Sequence, residues 1–383
     1  MLNVIFKRGV TMVIYRNADK NEYDKIINLC NEVFKFDFEE LLPKTFYKEG
    51  IVPDITKVAQ DENGNLVAEV CVLPQIVNVG DFSLRSNYLG TVSVHENNRG
   101  EGHMIKLMNM FLDEMQGKYD MTVLGGRRQR YEYFGYTYGG EQWEYTINIH
   151  NIRHALKEVD SSEITFKPLS EVENGLEFAY EYNKNREVSV VRDKEIIDKI
   201  LTSYRQTPIA VLENDDIIGY LLSSNENSDI SEFVLNDYKN TKKVIKAFFE
   251  NYKIDKTVVV LPEYETELHM ELSSFAESYR MIPCCMFNIL NFANVIKAYL
   301  SYKNDCEALS YGTFSAIMDN QPLTITVDEK GVTVENTAES DAIVLDKMDA
   351  QKLLLTPSGK YLNLPIPKDW FPLPLFWYYV DCF

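Results

Sequence analysis

The sequence predicts an α+β protein with mixed sheets and more than one domain, on three observations. At 383 residues the chain is too long for one ordinary core, so two or three domains are expected. An apolar strand over 87–94 runs into a loop bearing Arg99, Gly100 and Gly102, and a helical pattern follows. The order hairpin, strand, helix, strand then occurs a second time further along.

The first half reads as a strand over 13–15, a helix over 21–34 and a hairpin of 56–60 with 66–73 turning at Asp61-Glu62-Asn63-Gly64. The strand 87–94 follows, then a helix from 102 to about 116 with Ile105, Met108, Phe111 and Leu112 on one face. A strand over 120–124 and an Arg-rich loop lead into 131–136. In the second half, 209–212 and 217–222 flank Asn214-Asp215-Asp216, and 230–235 is a strand. A helix over 238–251 and a strand over 257–261 complete the repeat, but its loop, Leu235-Asn236-Asp237-Tyr238-Lys239, carries no glycine. From 287 the composition shifts to a helix (292–300), a hairpin (323–327 with 332–335), a short helix (349–355) and a proline-rich aromatic tail.

Composition narrows the function classes. Apolar content of 45% and charged content of 25% suit a soluble globular chain, and no stretch of 18 apolar residues offers a membrane span. The net charge of −19 is spread along the chain and no segment supplies a basic face, so nucleic acid is not expected as a partner, nor, without an apolar span, is a membrane. An acidic field concentrates cationic ligands, or serves solubility alone. The six cysteines lack CxxC or metal spacing and read as reduced thiols of a cytoplasmic protein, and the five histidines make no helical ligand pair, so no metal is expected. Residues 1–11 lack a cleavage site and precede Met12, where natural initiation is expected.

The loop after 87–94 has the chemistry of an anion cradle. Glycines let backbone approach a phosphate without a Cβ, and the first amides of a helix lack internal partners and carry partial positive charge. The third glycine of a dinucleotide site and the Gly-Lys-Ser/Thr of a nucleotide loop are both missing. The pattern Arg99-x-x-Gly102-x-Met104 resembles the acetyl-CoA motif of GNAT acetyltransferases, with Met104 in place of the usual small residue. Together with Tyr131-x-x-Phe134-Gly135-Tyr136 it looks like the Eis (enhanced intracellular survival) branch, best over the first 150 residues.

The resemblance implies a tandem: a catalytic GNAT domain over 12–150, a degenerate GNAT-like copy over 151–285, and a sterol-carrier-like domain over 286–383 whose tail reaches the active site. It implies acetyl-CoA as cosubstrate, a small amine as acceptor, and a cytoplasmic homo-oligomer. Backbone of Val92, Ser93 and Val94 would take the pantetheine arm. Arg99 and the amides of Gly100, Glu101, Gly102, His103, Met104 and Ile105 would take the pyrophosphate, with Gly126 and Arg127 beside the cofactor. Arg99 otherwise reads as a solvated cation. Arg127, Arg128 and Arg130 either bind a phosphate, favour an anionic acceptor, or are solvated.

Tyr131 matches the tyrosine that protonates the leaving thiolate, and a phenol of pKa about 10 suits that task; its alternative is a core aromatic. The C-terminal carboxylate of Phe383 matches the general base of Eis-type enzymes, delivered by a tail stiffened by Pro365, Pro367, Pro372 and Pro374. Phe34, Phe36 and Phe38 read as core in preference to an amine pocket. The alternative function is a non-catalytic binder that holds an apolar ligand in the last domain and retains a relic cradle.

Overall fold

The computed structural model describes residues 12–224 and 227–383, so the segment 1–11 before Met12 lies outside the described residues. In the first stretch β1 (Ile14–Asn17), α1 (Tyr23–Phe34), α2 (Phe38–Leu41), β2 (Thr56–Gln60), β3 (Leu66–Val79) and β4 (Phe82–Val94) precede α3 (His103–Met115). β5 (Met121–Leu124), α4 (Arg128–Tyr131) and β6 (Thr137–Gly139) follow. The middle stretch holds β7 (Gln142–Asn148), α5 (Ile149–His154), β8 (Ile164–Pro168), α6 (Gly175–Lys184), β9 (Val188–Val190) and α7 (Ile197–Leu201). It continues with β10 (Thr207–Glu213), β11 (Asp216–Ser223), β12 (Asp229–Leu235), α8 (Thr241–Tyr252), β13 (Lys256–Pro262), α9 (Thr266–Ser273) and β14 (Ser278–Ile282). The last stretch comprises β15 (Cys285–Ile289), α10 (Phe292–Glu307), β16 (Gly312–Met318), β17 (Gln321–Asp328), β18 (Gly331–Glu335), β19 (Ile343–Leu345) and α11 (Lys347–Leu355).

The chain divides into two compact units: Met1–Tyr138 with Cys285–Leu373 and Cys382–Phe383, and Gly139–Cys284 with Pro374–Asp381. In the first unit the strands run β1-β2-β3-β4-β5-β15-β6, and in the second β14-β7-β13-β12-β11-β10-β8. The two orders share one plan. Antiparallel neighbours lead to a parallel pair, β4 with β5 and β12 with β13, and an antiparallel strand follows, β15 on β5 and β7 on β13. That added strand is not local: β15 comes from after the middle stretch, and β7 from its very start, ahead of β8 to β13. The first unit also holds a smaller sheet, β18-β17-β16-β19, with α10 and α11.

Packing follows the apolar periodicity, with two departures from the sequence reading. On α3 the buried positions are His103, Leu107, Met108 and Met115, whereas Ile105, one turn before the exposed Asn109, lies off that face and is 47% exposed. Of Phe34, Phe36 and Phe38 only Phe38 is core; Lys35 caps α1 in the left-handed conformation (φ 62°), and Phe34 and Phe36 are exposed on either side of it.

The tail residues assigned to the second unit are pinned by charge. The Arg192 guanidinium forks onto Asp381, Nε to Oδ1 at 2.9 Å and Nη2 to Oδ2 at 3.0 Å, and Glu232 accepts from both Arg192 and Arg186. All four groups are buried. Burial by itself would raise the Glu232 carboxyl, but the two guanidinium groups overcome it and hold it at about 2.

Candidate active site

The end of β4 is built to leave backbone free. Its parallel register with β5 runs Ser86–Met121 through Leu89–Leu124, while β4 itself continues to Val94. On its other edge, Cys71 pairs with Gly90 and Glu69 with Ser93, so Thr91 and Val92 together oppose Val70. This is a β-bulge, which bends the strand. Thr91 sits in the bulge at φ 38°, a strained conformation for a β-branched residue. Beyond Leu89 the β4 backbone has no register with β5, and the bulge takes Thr91 and Val92 out of the one-to-one ladder with β3, while Ser93 and Val94 stay paired with Glu69 and Ala68.

The cradle follows at once. Gly100 (φ 84°) and Gly102 (φ 85°) are both left-handed, and a Cβ added at either would meet nothing within 4 Å, so the space above them is open. Gly102 is the N-cap of α3 and offers no side-chain cap. The first intrahelical bond is Lys106 N–H to Gly102 O, which leaves the amides of His103, Met104 and Ile105 without helical partners. The exposed Arg99 donates from Nε to Val94 O at 3.5 Å, tying the loop to the end of β4. His103 is buried and bridges Glu101 (Nε2 to Oε2, 3.0 Å) and Tyr15 (Nδ1 to the hydroxyl, 2.7 Å), which fixes the loop from below. The counterpart turn of the second unit is built oppositely. There the Asp237 carboxylate accepts the Lys239 N–H at 2.9 Å, placing a negative charge where an anion would bind.

Tyr131 closes α4 and is buried in the cluster that includes Leu89, Leu124, Val92, Val94 and Met104. Gly126 makes room for it: a Cβ there would lie 2.4 Å from Tyr131 Cε2. Burial raises the phenol, the Arg130 charge lowers it, and the Glu69 carboxyl raises it again; the net is upward, so the phenol is protonated at neutral pH. Of the three arginines, Arg128 is committed to Glu132 by two bonds of 3.1 and 2.8 Å, and all three are exposed.

The chain's last residue reaches the same strand. The Phe383 ring lies on Gly90, where a Cβ would come within 1.7 Å of Cδ1, and meets Phe46 edge-on at 6.0 Å between centroids. The Lys44 ammonium donates to the carbonyl of Cys382. Cys382 is buried; a hydrogen bond with Cys285, then burial, push its thiol well up.

Val92, Val94, Met104 and Tyr131 therefore share one cluster, with the open cradle at the end of β4 and Phe383 on its Gly90. One residue of this neighbourhood was missed: Glu69, wholly buried on β3. Its signal was present as a single acid inside the otherwise apolar run Leu66-Val67-Ala68-Glu69-Val70-Cys71-Val72.

Among the described residues no helix is long and apolar enough to cross a membrane, and no group of three or more His, Cys, Asp or Glu is placed to hold a metal. Residues 14–139 match the model of the acetyltransferase (GNAT) domain. A sequence comparison with curated proteins finds no match. Among solved structures, the chain is similar to a GCN5-related N-acetyltransferase from Anabaena variabilis (TM-score 0.68, 17% identity, 97% of this chain and 100% of that one). It is also similar to a probable N-acyltransferase from Enterococcus faecalis (0.64, 17%, 88% of each chain). A third likeness is Eis1 from Mycobacterium abscessus (0.60, 14%, 90% and 89%). At these identities the likenesses concern the fold. Residues 14–139 thus form an acetyltransferase (GNAT) domain, and the fold of the chain is like that of Eis1.

Proposed function

We propose that the protein transfers acetyl from acetyl-CoA directly to a primary amine of a small, cationic acceptor. The observation that carries this reading is the continuity of one strand end: β4 outlives its pairing with β5 at Leu89 and leads through Arg99 into the open Gly100 and Gly102 turn and the uncapped α3. Backbone of 92–94 would hold the pantetheine arm, and Arg99 with the amides of Gly100 to Ile105 would neutralise the pyrophosphate. Gly126 and Arg127 would flank the arm beside Tyr131.

The bound donor supplies an acetyl thioester. The terminal carboxylate of Phe383 takes the proton from the acceptor's ammonium, freeing the lone pair that forms the new C–N bond. As the C–S bond breaks, Tyr131 gives its phenolic proton to the leaving sulfur, and the second proton shed by the nitrogen as the amide forms restores the phenol. The net charge of −19 favours a cationic acceptor. The reading includes a cytoplasmic homo-oligomer, which native mass measurement and fractionation test.

A thiol-release assay with a panel of polyamines and aminoglycosides tests the proposal. Amine-dependent CoA release is expected, with acetyl-CoA binding kept and turnover lost when Phe383 is deleted. CoA release with no amine in the panel, or unchanged kcat without Phe383, would overturn the respective part.

A further inference from the structure

Glu69 is a carboxyl with no exposure to solvent, on the face of β3 covered by α1. It is hydrogen-bonded on every side by neutral groups. The Cys30 thiol of α1 donates to Oε1 at 3.3 Å, and the Thr91 hydroxyl of β4 donates to Oε2 at 3.4 Å. Ser93, directly opposite in register, adds side-chain and backbone contacts. Ser93 Oγ in turn donates to Thr91 O at 3.3 Å. The strained bulge residue Thr91 and its neighbour Ser93 are thus tied to one acid. A β-branched residue at φ 38° persists only where its surroundings over-determine it.

We propose that Glu69 is a positioning residue for the thioester slot, its carboxyl holding the β4 bulge at Thr91 in the shape that presents the 92–94 backbone to the donor. The inference rests on the acetyl-CoA reading above. Burial raises this carboxyl to about 8, against the downward pull of Ser93, Cys30 and Thr91, so it is neutral at pH 7. The titratable groups facing it are Cys30 from α1, Cys71 from β3 and Tyr131 from α4, each raised by its own burial and therefore neutral over the same range. Ionisation of Glu69 puts an uncompensated charge among thiols and hydroxyls, and the bulge must then rearrange or admit water.

Acetyl-CoA binding, measured by calorimetry from pH 6.5 to 9.5 without acceptor, tests this on the wild type, Glu69→Gln and Glu69→Ala. The wild type is expected to lose affinity above pH 8, approaching tenfold per pH unit. Glu69→Gln, which keeps a neutral hydrogen-bonding group, binds within about twofold of wild type at pH 7 and loses the alkaline transition. Glu69→Ala binds at least tenfold more weakly at every pH; if it fails to fold, the flat profile of Glu69→Gln decides. A Glu69→Gln profile that still bends at pH 8, or one weakened tenfold at pH 7, overturns the role. Absence of acetyl-CoA binding by the wild type at any pH would instead overturn the functional reading beneath it.

Discussion

Replacing Gly90 by Ala adds a methyl group where the Phe383 ring already lies. The new Cβ would stand 1.7 Å from Cδ1 and 2.4 Å from Cγ of that ring. Carbon atoms in contact settle at about 3.5–4.0 Å, so the ring must retreat by about 2 Å. Gly90 does not use the left-handed region, and alanine therefore strains no backbone there. The cost falls on the docking of the last residue. Phe383 is 6% exposed, and burying a phenylalanine side chain is worth about 1.5–3 kcal/mol. Losing most of that lowers the docked-to-undocked ratio of the chain end by about 10- to 150-fold, at about 1.4 kcal/mol per decade. Amine acetylation, followed by CoA release, should fall correspondingly in kcat, while acetyl-CoA affinity stays within about threefold. Phe383→Ala keeps a terminal carboxylate but removes the obstructed ring, so adding Gly90→Ala to it should cost nothing further. A Gly90→Ala enzyme with wild-type kcat would refute the assignment of the tail to catalysis.

Tyr131→Phe preserves the ring that packs on Gly126 and removes only the proton donor; kcat is expected to fall about 10²- to 10⁴-fold with KM little changed, and an unchanged kcat removes Tyr131 as the acid. Arg192→Met strips the buried Asp381 and Glu232 carboxylates of a shared partner, and should destabilise the second unit by about 3–5 kcal/mol in urea unfolding followed at Trp143; a loss below about 1 kcal/mol would show the network to be dispensable. The Glu232 carboxyl is held at about 2 by Arg192 and Arg186, against its burial. Its contribution is therefore complete above about pH 4.5 and is lost as pH falls towards 2; an acid unfolding midpoint that Glu232→Gln leaves unmoved would contradict this.

Much of the site was legible because it is written locally. Asp61-Glu62-Asn63-Gly64 turned where its residues require, and the Arg99 to Met104 loop announced its helix through its glycines. What was hidden depended on partners far along the chain. Nothing near 285–289 signals that this segment pairs with Met121–Leu124, because an apolar strand of five residues fits any sheet equally well. The sequence pattern ends the strand of 66–73 before Pro74, yet β3 runs on to Val79, with Pro74 opposite Asn87 in the long hairpin with β4. The bulge at Thr91 was equally invisible, since register emerges only when two strands are laid together. Glu69 is a lone acid in an apolar run that the sequence reading passes over, and its meaning comes from Cys30, Thr91 and Ser93, which periodicity does not connect.

The exchanged strands bear on how such a chain is made. Synthesis from the N-terminus lets early domains fold as they emerge. Here the unit that starts first, at β1, must wait for β15, then for residues up to Leu373, and finally for Cys382 and Phe383. The middle stretch is finished no earlier than Pro374–Asp381. Neither unit is complete before residues beyond Leu373 have been made, so a chain stopped short of Pro374 carries two unfinished folds.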